Sequence, residues 1–131
     1  DPQRVCLELS ESEPLPATRE LIDELQRLRD AGFLLALDDF GVGANHLGLL
    51  AHVRMDVLKV DASIVQAAAR EEGEPRHAGA VLEGILGMSR AVRLATVLEG
   101  IETNAKDLAL ADSLPGVGLQ GWGISPLQPI A

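Results

Sequence analysis

The sequence predicts an α/β fold, namely part of a (β/α) barrel in which about five parallel strands alternate with helices. Three observations carry that expectation. Short apolar segments of period-2 alternation recur along the chain, helical or breaker-rich segments separate them, and each apolar segment ends on a polar residue of constant face.

RVCLELS (4–10) opens the series, with Val5, Leu7 and Leu9 alternating against Cys6, Glu8 and Ser10. LPATRELIDELQRLRDAG then reads as a helix, with Pro16 in an early-turn position, Leu21, Ile22, Leu25 and Leu28 on one face, and Gly32 as its stop. There follow strand LLALDD, a short helix around HLGLLAHV, strand VLKVD, helix HAGAVLEGILGMSRAV, strand RLATVLEG, helix NAKDLALADSL and strand GLQGW. This gives five strands and four connecting helices. The polar, breaker-rich stretch AAAREEGEPRHAG (67–79) reads as an exposed loop, and no segment has the character of an interdomain linker.

Side chains alternate along a strand, so each strand-end polar residue can be given a face. Glu8 shares its face with Cys6, Asp38 with Ala36, Lys59 with Val57, Glu99 with Ala95 and Val97, and Gln120 with Gly118. The opposite faces carry the larger aliphatic residues Leu7, Leu9, Leu35, Leu37, Leu58, Val60, Leu98 and Leu119. An open sheet covered by helices on both sides reads apolar on both faces. The asymmetry favours the barrel, whose sites lie at the C-terminal ends of its strands.

At 131 residues, 47% apolar and 24% charged, the chain suits one globular domain spanning 1–131. A net charge of −9 repels long nucleic acid and anionic membrane surfaces, while a small phosphorylated ligand is compatible with it if cations intervene. Cys6 is the lone cysteine, which fits a cytoplasmic location, and no apolar run reaches the roughly 18 residues of a membrane span. Because the chain begins at Asp1 and not Met, it is expected to be a piece of something longer.

Glu8, Asp38, Asp39 and Glu99 would crowd four carboxylates around one mouth with Lys59 among them. Such crowding is unfavourable unless cations or protons offset the repulsion. Hard divalent ions take oxygen ligands, and two of them roughly 3.5–4 Å apart activate water and stabilise in-line displacement at phosphorus. Lys59 fits as a point charge toward a phosphate oxygen or the attacking water. Two other readings stay open: strand-end acids often only cap helices, and a barrel lysine can be a Schiff-base nucleophile. The neighbouring carboxylates, which would keep Lys59 protonated, argue against the second. Gln120 and Trp122 could be barrel filler, the GVG at 41–43 lacks the rest of a dinucleotide fingerprint, and His46, His52 and His77 lack metal-ligand spacing.

LELSES, LALDDFGVG, VLKVDASIV, LEGIET and LQGWGISPL, in this order, resemble the later motifs of EAL domains, the bacterial cyclic di-GMP phosphodiesterases. The resemblance implies a TIM-like barrel that hydrolyses cyclic di-GMP to linear pGpG with Mg²⁺ or Mn²⁺. It makes Glu8, Asp38 and Asp39 metal ligands, Lys59 the lysine near the catalytic water, and Glu99 a metal or general-base glutamate. It makes Glu11 a support of the loop after DDFG, and Glu102 and Gln120 further active-site positions. The implied partners are cyclic di-GMP and either a second copy or other domains of a longer signalling protein.

Several features depart from that pattern. The Glu-Ala-Leu segment and a later metal-binding Asn of the family fall before Asp1, so the chain matches the C-terminal part of the domain. Ala44, Asn45 and His46 stand where the family has Tyr-Ser-Ser after the glycine, Ala62 where it commonly has Arg, and Leu98 where it has Ala. Five strands cannot close an eight-stranded barrel, so exposed edges and inactivity of the isolated chain are expected. The alternative is a catalytically inactive EAL-like module that binds cyclic di-GMP or a partner protein.

Overall fold

A computed structural model of the chain describes residues 1–10, 15–43 and 47–124. Glu11 and the segment Ala44 to His46, both singled out above, lie outside the described residues. Five strands form one sheet: β1 (Cys6–Ser10), β2 (Leu34–Phe40), β3 (Val57–Val60), β4 (Ala95–Glu99) and β5 (Gly118–Gln120). Each is parallel to its sequence neighbour, in the order β1-β2-β3-β4-β5. This singly wound order is that of a barrel wall, whereas a doubly wound sheet reverses its order at a switch point. Among the described residues, β1 and β5 are the edges.

The helices are α1 (Arg19–Asp30), α2 (Leu47–Leu50), α3 (Ala62–Arg70), α4 (His77–Ala91) and α5 (Ala105–Ser113), after a 3₁₀ turn at Pro2–Arg4. Thr18 caps α1, its Oγ1 accepting from the Leu21 N–H at 3.3 Å, so Pro16 precedes the helix and is not in its first turn. Gly32 ends it with φ +98°, a left-handed conformation that glycine adopts without strain.

The structure corrects the sequence reading in one element. The segment 67–79 is not one loop, because α3 occupies Ala62–Arg70 and α4 begins at His77. Strand and helix abut at Asp61, whose side chain accepts from the Ser63 N–H at 2.7 Å as the N-cap of α3. The connection shrinks to residues 71–76. There Glu71 takes over the capping of α4, accepting from the Ala78 and Gly79 N–H groups at 3.0 and 2.9 Å.

The core lies on the helix-facing side of the sheet. Leu35, Leu37, Leu58, Val60 and Leu98 are fully buried there, as the alternation predicts. Leu25 of α1 packs with β2 and β3 in one cluster, and Val65, Leu82 and Leu86 of α3 and α4 pack with Val60, Leu98 and Ile101 in a second.

Behind the second cluster Asp107 is wholly buried. Its N–H donates to Asn104 Oδ1 at 2.9 Å, and its Oδ2 accepts from Gln66 Nε2 at 2.7 Å and the Glu102 N–H at 2.8 Å. Burial opposes its charge, but these hydrogen bonds outweigh burial and hold the carboxyl below its usual range. A depressed folded-state value contributes stability that is present above the unfolded value of about 3.9 and lost as pH falls through the folded one. We therefore expect urea denaturation to show a stability loss below about pH 4, and Asp107→Asn to flatten that acid limb while costing about 1–3 kcal/mol at neutral pH.

Candidate metal centre

On a regular strand Asp38 and Asp39 would point to opposite faces. The pairing of β2 with β3 is irregular at this point: Leu37 pairs with Leu58 but Phe40 with Val60, so three residues of β2 span two of β3. Asp39 takes φ +54°, a region that Asp enters more readily than most residues. The bulge returns Phe40 to the core, 6% exposed, and leaves both carboxylates at the rim. Ligand oxygens of Asp38, Asp39 and Glu99 all lie within 4.8 Å of one another.

Lys59 projects from β3 into this group and is 9% exposed. Its Nζ lies 3.2 Å from Glu8 Oε1, 3.3 Å from Asp38 Oδ1 and 3.2 Å from Glu99 Oε1. One ammonium thus ties β1, β2 and β4 to β3. Burial works against its charge, yet hydrogen bonds to Glu99 and Glu8 and the field of Asp38 overcome it and push its pKa well above the ordinary lysine range. A lysine held so firmly protonated is no Schiff-base nucleophile. Glu99 moves the other way: burial first, then the charges of Asp38 and Asp39, raise its carboxyl despite Lys59. Four carboxylates stand around this single ammonium, an excess of acid over base at the rim that adds to the effect of burial on Glu99.

Glu8, Asp38, Asp39, Lys59 and Glu99 therefore meet at one rim, with Glu8 contacting Lys59 and standing outside the three-acid group. Gln120 is register-paired with Glu99, but its side chain is exposed, and Glu102 is exposed beyond the strand end. Two contributors were not singled out from sequence. Ser10 Oγ donates to Asp39 Oδ2 at 3.2 Å, and its place on the Glu8 face was the available signal. Gln66 grips the turn after Glu99, and nothing in its helical context marks it.

A set of close carboxylate oxygens at the C-terminal mouth of parallel (β/α) strands is a donor set that could hold a hard cation, placed where (β/α) barrels carry their sites. The chain belongs to the EAL domain family, whose model matches residues 1–127. It is 33% identical over 129 residues to a signalling protein of Caulobacter vibrioides, covering 98% of this chain and 15% of that protein. It is 34% identical over 132 residues to the cyclic di-GMP phosphodiesterase PdeL of Escherichia coli, covering 98% of this chain and 34% of PdeL. Among solved structures, the EAL enzyme Bd1971 in its cAMP- and cyclic-di-GMP-bound form superposes with a TM-score of 0.83 at 26% identity, over 95% of this chain and 32% of that one. The EAL domain of Mycobacterium smegmatis DcpA gives 0.81 at 29% identity, over 96% and 54%. A manganese and cyclic di-GMP complex of Klebsiella pneumoniae BlrP1 gives 0.75 at 27% identity, over 92% and 30%. No helix among the described residues is long and apolar enough to cross a membrane.

Two outcomes follow from the uncompensated charge. Asp39→Asn, which keeps a residue tolerant of positive φ, should raise metal-free stability by about 1 kcal/mol in denaturant titrations while weakening Mn²⁺ binding in calorimetry. Glu99 has a raised folded-state value, so between the ordinary carboxylate range and that value the folded chain holds the extra proton and stability falls as pH rises. Chelator-treated chain should accordingly lose stability as pH is raised through that window, and Glu99→Gln should abolish the slope.

Proposed function

We propose that this chain is the C-terminal part of an EAL domain and supplies the carboxylate rim of a metal-dependent cyclic di-GMP phosphodiesterase that forms linear pGpG. The observation that carries the proposal is the convergence of Asp38, Asp39 and Glu99 oxygens within 4.8 Å beside a buried lysine. Mg²⁺ or Mn²⁺ suits this all-oxygen donor set and its excess negative charge. Asp38, Asp39 and Glu99 would hold the metal, with Glu8 adjacent. Bound there, a divalent ion supplies Lewis acidity and a lowered pKa for water.

The residues themselves have separable parts to play. Lys59 keeps its proton and presents a fixed positive charge to a phosphate oxygen or the attacking water. Glu99, whose carboxylate lies 3.2 Å from the Lys59 ammonium, is the acid proposed either to bind the metal or to accept a proton. Glu102 and Gln120 sit farther out, where a dinucleotide would extend, and Glu11 would support the loop after DDFG. The setting proposed is a cytoplasmic signalling protein in which this part works with a second copy or with other domains. The length of the relatives supports that setting, since this chain spans 15% of one and 34% of the other.

A second reading, a module that binds cyclic di-GMP without cleaving it, is favoured by Ala62. Its methyl group lies where a side chain at Gly100 would reach, at a position where the family commonly has Arg. One experiment separates the two. In the full-length protein with Mg²⁺ or Mn²⁺, Asp38→Asn should cut cyclic di-GMP turnover by more than about 100-fold, since even groups that only orient a ligand cost roughly 10–100-fold. Unchanged turnover in Asp38→Asn refutes the assignment, and binding without turnover in the unsubstituted protein selects the second reading.

A further inference from the structure

We infer that Gln66 and Asp107 are positioning residues for Glu99: they clamp the turn that follows it, so that its carboxylate stays at the rim against the repulsion of Asp38 and Asp39. The inference rests on the metal-site reading given above.

β4 ends at Glu99, and residues 100–104 form no regular element before α5. A free turn would let Glu99 swing away from two like charges into water. Four consecutive backbone groups prevent this. The Gly100 carbonyl accepts from Gln66 Nε2 at 2.5 Å, and the Glu102 N–H donates to Asp107 Oδ2 at 2.8 Å. Between them, the Ile101 N–H donates to the Gln120 carbonyl at 3.1 Å and the Ile101 carbonyl accepts from the Gly123 N–H at 2.8 Å. Gly100 has φ +76° and sits against Ala62, so the backbone can approach α3 closely enough for Gln66 to reach it.

The two side-chain clamps come from different helices and bond each other, Gln66 Nε2 to Asp107 Oδ2 at 2.7 Å. A purely structural role accounts poorly for them. Asp107 is fully buried yet its Oδ1 has no partner, and Gln66 Oε1 is also buried and unpartnered. Such orphaned groups cost stability, and an apolar pair of the same shape would serve the fold as well or better. What an apolar pair cannot do is fix the Gly100 carbonyl and the Glu102 N–H in place.

Mn²⁺ alone is the probe, with binding to the chain measured by electron paramagnetic resonance or calorimetry well below each variant's melting temperature. Gln66→Leu and Asp107→Leu should weaken binding about 10–100-fold, the range for groups that orient a metal ligand. Asp107→Asn, which keeps an oxygen acceptor, should restore affinity to within a few-fold. Ser89→Ala removes the buried hydroxyl contact to Thr96 at the other end of β4, and should leave affinity unchanged. Wild-type affinity in Gln66→Leu and Asp107→Leu while Glu99→Gln loses it overturns the clamp alone, as does an equal loss in Ser89→Ala. Wild-type affinity in Glu99→Gln removes the metal reading, and the clamp with it. Should Asp107→Leu not fold, Gln66→Leu at its partly exposed position decides the matter.

Discussion

A buried ammonium on a central strand is costly unless carboxylates meet it at close range, and the whole rim of this sheet is arranged around meeting Lys59. Three strands each send it one carboxylate, at 3.2 to 3.3 Å. The interaction fixes the relative heights of β1, β2, β3 and β4 where their side chains matter chemically. It is also deliberately insufficient in charge: Asp39 makes a fourth acid, and one cation cannot satisfy them all. The fold therefore carries a local electrostatic deficit at the rim, on the face opposite its hydrophobic core. That deficit is what a hard divalent ion, in the function proposed above, would relieve.

The two faces of the sheet divide the labour. Leu35, Leu37, Leu58, Val60 and Leu98, all without exposed surface, pack against helices and supply the driving force. The inner face carries small residues and the charged ends, so changes there alter chemistry before they alter folding. Where the two demands collide, at Asp38 and Asp39, the backbone yields and not the chemistry. The positive φ of Asp39 is the local strain that lets two neighbouring acids serve one centre.

Much of this was legible in the residues. Alternation survives wherever a strand buries one face, so Glu8, Asp38, Lys59 and Glu99 could be placed on a common rim before any coordinates. The helix α3 was not legible, because Asp61 ends a strand and caps a helix at once and leaves no turn signal between them. The placement of Asp39 was hidden for a different reason, since a bulge breaks the very period from which faces are read. Gln66 was beyond reach: its partners Gly100 and Asp107 lie 34 and 41 residues away, and a polar residue on a helix ordinarily faces water.

The bulge in β2 also uncouples two things usually bound together. Losing either aspartate by deletion would restore even pairing with β3, and Phe40, then two positions after Leu37, would stay on the core face opposite Val60. A shortened chain would thus forfeit an acidic side chain and keep its aromatic anchor, just as exchanging one residue for another leaves the frame untouched. Inheritance along this segment therefore tolerates loss as well as replacement, and a lineage that abandons the chemistry has no structural reason to keep the length.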